Sequence, residues 1–334
     1  MKSLSDRFSH VRLKVADTSE AVVTITFVIL FIFFAFYAKD FLSAYAISNF
    51  LTFGAVYGVT VIGVAFLMIS GEFDLSVGST MAVAMYIVIL ALLAHIPALL
   101  AVLLALLVSV ILGLINGLIV VNSKIPSYIV TLGSMLAYRG LARFLGNGRL
   151  INYTVPDKPE LFNYLNGNLT AINDWFQPAG NLRAGIFWFA GLMLLMTFVL
   201  FRTRFGNWTF ATGGSPGAAI SQGVNVGRVK LVCFMLCGLM AGFAGMLFFS
   251  HRFSVNPLSG SGGELVAVAA SVIGGVRLNG GYGTIVGACV GIILMSMLQQ
   301  ALASMGVAQE IFEAVTGLII IVSVLANTLI GREE

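Results

Sequence analysis

Two carboxylates, Glu72 and Asp74, stand in the segment Gly71-Glu72-Phe73-Asp74-Leu75-Ser76-Val77-Gly78-Ser79, with long apolar runs on both sides. A charge at mid-membrane costs on the order of 3 kcal/mol on insertion scales, so a carboxylate placed there belongs in a cavity or a protein interior. Glycines at both ends permit an irregular backbone, and the Ser76 hydroxyl is positioned to cap the helix that follows. Such a segment suits a broken helix lining a translocation path. It equally suits a cytoplasmic turn capped by Asp74-Leu-Ser, and spacing alone supports both. Asn116, within Gly113-Leu-Ile-Asn-Gly117, falls inside an apolar run, where its amide either bonds to a neighbouring helix or meets a hydroxylated solute. Glu264 opens another run, Gly262-Gly-Glu-Leu-Val-Ala-Val-Ala-Ala270, near the outer face, where the helix dipole favours a first-turn glutamate. Arg139 and Arg143, one turn apart, are expected to extend their charged ends outward.

Other chemistries are absent. No G-x-x-x-x-G-K-[ST] phosphate loop occurs, so the chain has no such grip on ATP. No H-E-x-x-H, no G-x-S-x-G and no Cys/His cluster is found, and no metal site is expected. Cys233, Cys237 and Cys289 all fall in apolar runs and read as small buried hydrophobes. No relay of membrane-embedded acids, histidines and lysines suggests a proton-coupled pump. Uphill transport would then draw its energy from a partner. Residues 202–230 offer the place: four basic residues, no acidic one, and a centre of Ala211-Thr-Gly-Gly-Ser-Pro-Gly-Ala-Ala219.

The elements that position these groups are membrane helices. The 334 residues are 59% hydrophobic and only 10% charged, with a mean hydropathy of +0.99. Soluble domains carry about 25% charged residues, which excludes a soluble fold. Apolar runs near the length of a span lie at residues 21–38, 50–70, 79–94, 98–121, 184–201, 231–250, 285–304 and 311–330, and less clear ones at 126–145 and 264–276. That makes ten, in an all-α bundle whose 37 glycines suit closely packed helices. The first run is too long for a signal-peptide core and follows a polar segment, so it is expected to be retained. Lys2, Arg7, Arg12 and Lys14 mark residues 1–20 as a cytoplasmic segment. Ten crossings return the C-terminus to the same side, together with Lys124, the 202–230 loop, Arg277 and Arg332. The links around 94–97 and 305–308 carry no basic residue. Residues 146–183 form the longer outer segment, and 21–330 a single transmembrane domain. Trp188 and Trp208 are placed near opposite ends of the sixth run, as aromatic belts would place them. The net charge of +4 is not gathered on one face and gives no reason to expect nucleic acid. A faint echo relates residues 69–79 to 273–283, each a glycine-rich turn joining two runs, and transporters are often built from repeats.

Several stretches resemble one family. Ser70-Gly-Glu-Phe-Asp-Leu-Ser-Val-Gly-Ser79 is similar to the G-G-I-D-L-S-V-G-S signature of permease subunits in bacterial ATP-binding-cassette importers of the ribose/xylose/galactose type. Gly113-Leu-Ile-Asn-Gly117, Ile125-Pro-Ser-Tyr-Ile-Val-Thr-Leu-Gly133 and Arg139-Gly140 follow that family's order. So do Thr203-Arg-Phe-Gly206, Gly213-Gly-Ser-Pro-Gly-Ala-Ala219, Gly223-Val-Asn-Val-Gly-Arg-Val-Lys230, Glu264-Leu and Ala269-Ala-Ser-Val-Ile-Gly-Gly275. The resemblance implies a type II importer bundle working with a second permease copy, two cytoplasmic ATPase subunits and a periplasmic sugar-binding protein. It implies that ATP and magnesium bind in the partner ATPases, and that this chain holds no cofactor. It maps a short coupling helix to about residues 215–222, with Gly214, Ser215, Pro216, Gly217, Ala218, Ala219, Gln222 and Gly223 in the docking loop. Gly217 and Ile220 stand where the family usually has charged residues, and Val266 where an aspartate is frequent.

The expectation is an inner-membrane permease, not an enzyme, importing a monosaccharide or related polyol, with Glu72, Asp74, Ser76, Asn116 and Glu264 along the translocation path. The alternatives are a nucleoside or signalling-sugar cargo, an ion-coupled carrier using Glu72 and Asp74, and a membrane enzyme using the same two as acid and base.

Overall fold

Each of the ten apolar runs contains helix among its described residues. The computed structural model describes residues 19–123, 125–176, 180–308, 311–318 and 321. The N-terminal basic residues Lys2, Arg7, Arg12 and Lys14, together with Lys124, Arg332 and most of the last run, lie outside the described residues. In chain order the helices are α1 (Ser19–Tyr37), α2 (Ala44–Ile69), α3 (Val77–Leu93), α4 (Ala98–Ser123), α5 (Ser127–Leu145), α6 (Leu161–Asn166), α7 (Thr170–Asn173), α8 (Gly185–Arg202), α9 (Arg204–Gly214), α10 (Pro216–Ser221), α11 (Val226–Arg252), α12 (Gly263–Ile273) and α13 (Ile285–Ser304). Residues 311–318 form a further helix. Two short strands, β1 (Ile151–Asn152) and β2 (Ser254–Val255), pair antiparallel.

A helix satisfies its own backbone, which is what a chain without water around it requires. Five of these helices are long and apolar enough to cross a membrane: α2, α4, α8, α11 and α13. The most apolar stretch of α2 is 83% buried and that of α8 only 22%, so α2 is a central post and α8 a peripheral one. α11 packs along α4, α2 and α3, and α13 along α2 and α12. Cys233, Cys237 and Cys289 are unpaired and buried among these helices.

The bundle has two unlike ends. At one, β1 and β2 meet, Tyr153 N–H donates to the Phe253 carbonyl at 2.8 Å, Tyr86 Oη donates to the Arg149 carbonyl at 3.0 Å, and Asn166 Nδ2 donates to the Leu247 carbonyl at 2.8 Å. Asn49 Nδ2 donates to Gln300 there. This cap end carries the polar segment between α5 and α8. At the other end lie the turns 70–76 and 274–284 with α9 and α10.

Three expectations change. The 202–230 segment is not a loop: after the chain turns at Thr203, which accepts a hydrogen bond from Gly206 N–H, eleven residues form α9. Trp208 therefore sits in α9, past the end of α8. The run at 264–276 gives α12, eleven residues long, about 16 Å at the α-helical rise and only half of a hydrocarbon core of about 30 Å. Residues 256–262 carry the chain from the cap end into the bundle before α12 begins, so α12 is a half-helix.

Candidate functional site

Sequence reasoning placed Glu72, Asp74 and Ser76 at a turn between two runs, Asn116 inside a run and Glu264 at the start of another, and the structure arranges the five in two clusters. The first surrounds the turn from α2 to α3. Asp74 is 1% exposed. Its Oδ1 accepts from Ser76 N–H at 2.7 Å and from Ser76 Oγ at 2.6 Å. Asn116 Nδ2, reaching in from α4, approaches both carboxylate oxygens at 3.4 and 3.3 Å and donates to Ser76 Oγ at 2.9 Å. Tyr138 on α5 completes the chain of contacts, its hydroxyl lying 2.9 Å from Asn116 Oδ1 and 3.1 Å from the Leu112 carbonyl. No cation pairs with Asp74 among the described residues. A buried polar group is tolerated when its hydrogen bonds are made, and here neutral donors make them. Ser76 stands at the N-cap of α3, as expected, but its hydroxyl turns to Asp74 and makes no capping bond.

Glu72 faces the other way. It pairs with Lys230, in the first turn of α11, the two side chains being 11% and 20% exposed. Between the acids, Phe73 N–H donates to Ser127 Oγ at the start of α5 at 3.0 Å. Three successive residues of one turn are therefore tied to α11, α5 and α4.

Close backbone approaches bring a third element to this end. Gly281 N–H donates to the Ile69 carbonyl at 2.9 Å, joining the two glycine-rich turns whose sequences echo each other. The last turn of α9 is wedged beside them: a Cβ on Gly213 would fall onto the Ile69 carbonyl oxygen and the Gly281 amide. α10 follows directly, with Ser215 and Gln222 as its flanking caps and Pro216 in its first turn. Ala219 is 3% exposed and seats the helix, while Ile220 is 61% exposed. Gly214, Ser215, Pro216, Gly217, Ala218, Gln222 and Gly223 are all exposed, as are Arg202, Arg204 and Arg228.

The second cluster lies where α12 begins. Glu264 is 6% exposed in the first turn of the helix, and its Oε1 stands 3.5 Å from Arg139 on α5. Arg139 thus points into the protein and not outward. The other carboxylate oxygen has no hydrogen-bond partner, nor has the arginine's Nη2. A Cβ on Gly78 would strike Glu264 and the Gly260 carbonyl, so the start of α3 and the entry to α12 touch through glycine. Tyr138, Lys230 and Ser127 were not singled out from sequence. Ser127 and Lys230 lie in motifs quoted above, but no role followed for any of the three, because each partner is distant along the chain.

A family model described as a branched-chain amino acid transport system / permease component matches residues 46–324. The chain belongs to this permease family. The permease is 33% identical to the probable ABC transporter permease protein YphD of Escherichia coli over 317 residues, which cover 95% of this chain and 91% of that one. It is 33% identical to the ribose import permease protein RbsC of Bacillus subtilis, covering 90% and 89%. It is 31% identical to the xylose transport system permease protein XylH of Escherichia coli, covering 94% and 93%. No solved structure matches it. The permease is therefore a multi-pass, all-α membrane protein with a transport role and not an enzyme.

Proposed function

We propose that this permease is the membrane subunit of an ATP-driven importer that carries a monosaccharide or related polyol across the bacterial inner membrane. The observation that carries the proposal is similarity over at least nine-tenths of the chain to permeases named for ribose and xylose. A periplasmic binding protein delivers the solute to a pair of permeases, and two cytoplasmic cassette ATPases hold ATP and magnesium. Three exposed arginines border α10, and the links 94–97 and 305–308 carry no basic residue, which supports a cytoplasmic α9–α10 end and an outer cap end. In this scheme α10 docks on the ATPase, and the ATPase's different affinity for two permease conformations drives the change between them. Movement of α10 passes through Gly213 to both turns at once, and through Lys230 to Glu72. Asp74, Ser76, Asn116 and Glu264 stand beside the path as its supports, with most of their polar atoms committed to protein partners.

Amino acid cargo is the second reading, favoured by the family's description. Reconstitution in vesicles with the cassette ATPase and binding protein separates them. ATP-dependent accumulation of labelled ribose or xylose is the expected result. Accumulation of leucine without either sugar overturns the cargo, and gradient-driven uptake by this chain alone overturns the mechanism.

A further inference from the structure

A cavity of about 470 Å³ opens in the half of the bundle nearer the cap end, enclosed within one chain by α2, α11, the start of α12, α13 and residues 312–317. That volume lies in the range of small-molecule pockets, roughly 300–1,000 Å³. Four rings, Phe53, Tyr57, Phe248 and Phe312, stand in its wall. Four hydroxyl side chains line it, Tyr57, Ser261, Ser296 and Thr316, of which Thr316 donates to the Phe312 carbonyl. Ser296 on α13 is 7% exposed, and Tyr57 on α2 is half-buried. Neither of these two hydroxyls has a hydrogen-bond partner among the described residues, although both line the cavity. Both hydroxyl oxygens are open to the cavity, where a ligand or water can satisfy them. The start of α12 adds backbone donors, because its N-cap is Gly262, which offers no side chain to cover them. Arg252 and Glu313 also line the space; both are exposed, and the Arg252 guanidinium lies 5.5 Å from the centre of the Phe248 ring.

We infer that this cavity is a transit site for one neutral, polyhydroxylated solute of pentose or hexose size in each chain. The chemistry matches on both counts. The C–H faces of a sugar ring lie against aromatic rings, and its hydroxyls donate to and accept from Tyr57 and Ser296, which can do both. A neutral solute needs no charge met inside, and the two charged side chains of the lining are exposed, where water and salt screen them. With few fixed polar contacts, the site binds loosely, as a compartment that must release its solute requires. The inference rests on the proposed sugar cargo, and the experiment separates the two.

The full chain carrying Ser296→Cys is placed in nanodiscs and its alkylation by a small maleimide is timed, the native cysteines being buried. D-ribose or D-xylose at about ten times its dissociation constant slows the reaction about tenfold by mass action; L-leucine does not. Tyr57→Cys gives the same readout if Ser296→Cys fails to fold. In the reconstituted importer, Tyr57→Phe lowers the maximal rate of sugar uptake. Absence of sugar protection in a preparation that imports the sugar overturns the site alone. Protection by leucine and not by sugar, with leucine imported, overturns both the site's ligand class and the cargo.

Discussion

The Glu72–Lys230 pair joins the turn between α2 and α3 to the first turn of α11, immediately after the α9–α10 segment. Replacing either partner tests both its strength and its part in coupling. At a hydrogen-bonding separation of about 3 Å and an effective dielectric near 20, the attraction is about 5 kcal/mol, opposed by the cost of removing both charges from water. Stranding one charge of a fully buried pair costs about 3–5 kcal/mol. Lys230 keeps 20% of its side chain exposed, so solvent screens part of the loss and about 2–3 kcal/mol is expected for Lys230→Met or Glu72→Gln. The double variant removes both charges and should lie well above the sum of the single losses, with a coupling energy of about 2 kcal/mol. Cys233, Cys237 and Cys289, all 2% exposed or less, serve as the reporter: a maleimide dye fluoresces only when the bundle opens. At 2 °C or somewhat more per kcal/mol, each single variant should unfold about 4–8 °C below the parent. Uptake per ATP hydrolysed should fall in both single variants. Single variants that unfold with the parent, or a double variant as unstable as their sum, would refute the reasoning.

Gly213→Ala places a methyl on the Ile69 carbonyl; such overpacking costs about 1–3 kcal/mol, and ATPase stimulation by the loaded binding protein should drop while the assembled complex survives. Ala218→Glu changes an exposed position of α10, so the permease should keep its unfolding temperature yet lose co-purification with the ATPase; retained binding counts against docking there. Asp74→Ala strands the Ser76 and Asn116 donors, and at about 0.6–1.7 kcal/mol per hydrogen bond inside a membrane bundle the three contacts amount to roughly 2–5 kcal/mol. Asp74→Asn keeps one acceptor and should unfold between the alanine variant and the parent, with uptake impaired more than folding.

Much of the bundle was legible because apolar runs of span length mark their own helices, and each of the ten contains helix among its described residues. Length within a run was less legible. α12 reads as continuous with its apolar neighbours, and only the left-handed Gly262, at φ +80°, shows where the helix starts. The helical character of residues 204–214 was hidden by three glycines and by polar side chains scattered among aromatic ones, although Thr203 is a recognisable N-cap once the helix is known. At the candidate sites, sequence picked the carboxylates and the amide but could not pair them. Glu72 finds its cation 158 positions away, and Asn116 finds Tyr138 on the following helix. Arg139 appears free on any local reading, and only the fold delivers Glu264 to it. The echo between residues 69–79 and 273–283 was faint as a pattern. It gains physical content from the hydrogen bond that joins the two turns directly.

Polar groups are satisfied unevenly along the bundle. Near α9 and α10 the carboxylates have committed partners: Glu72 has Lys230, and Asp74 has Ser76 and Asn116. Groups so tied move as a unit, which is what a segment transmitting displacement must do. Around the cavity, short of the well-bonded cap end, the commitments loosen. Glu264 leaves one oxygen unpaired, and Tyr57 and Ser296 leave their hydroxyls to the cavity. Unmet hydrogen bonds there keep alternative arrangements within a few kcal/mol of one another, so an entering solute can shift the balance with modest contacts. In the proposed scheme, carboxylates held firmly beside α10 and looser polar groups around the cavity let force from a partner reopen a loosely held compartment.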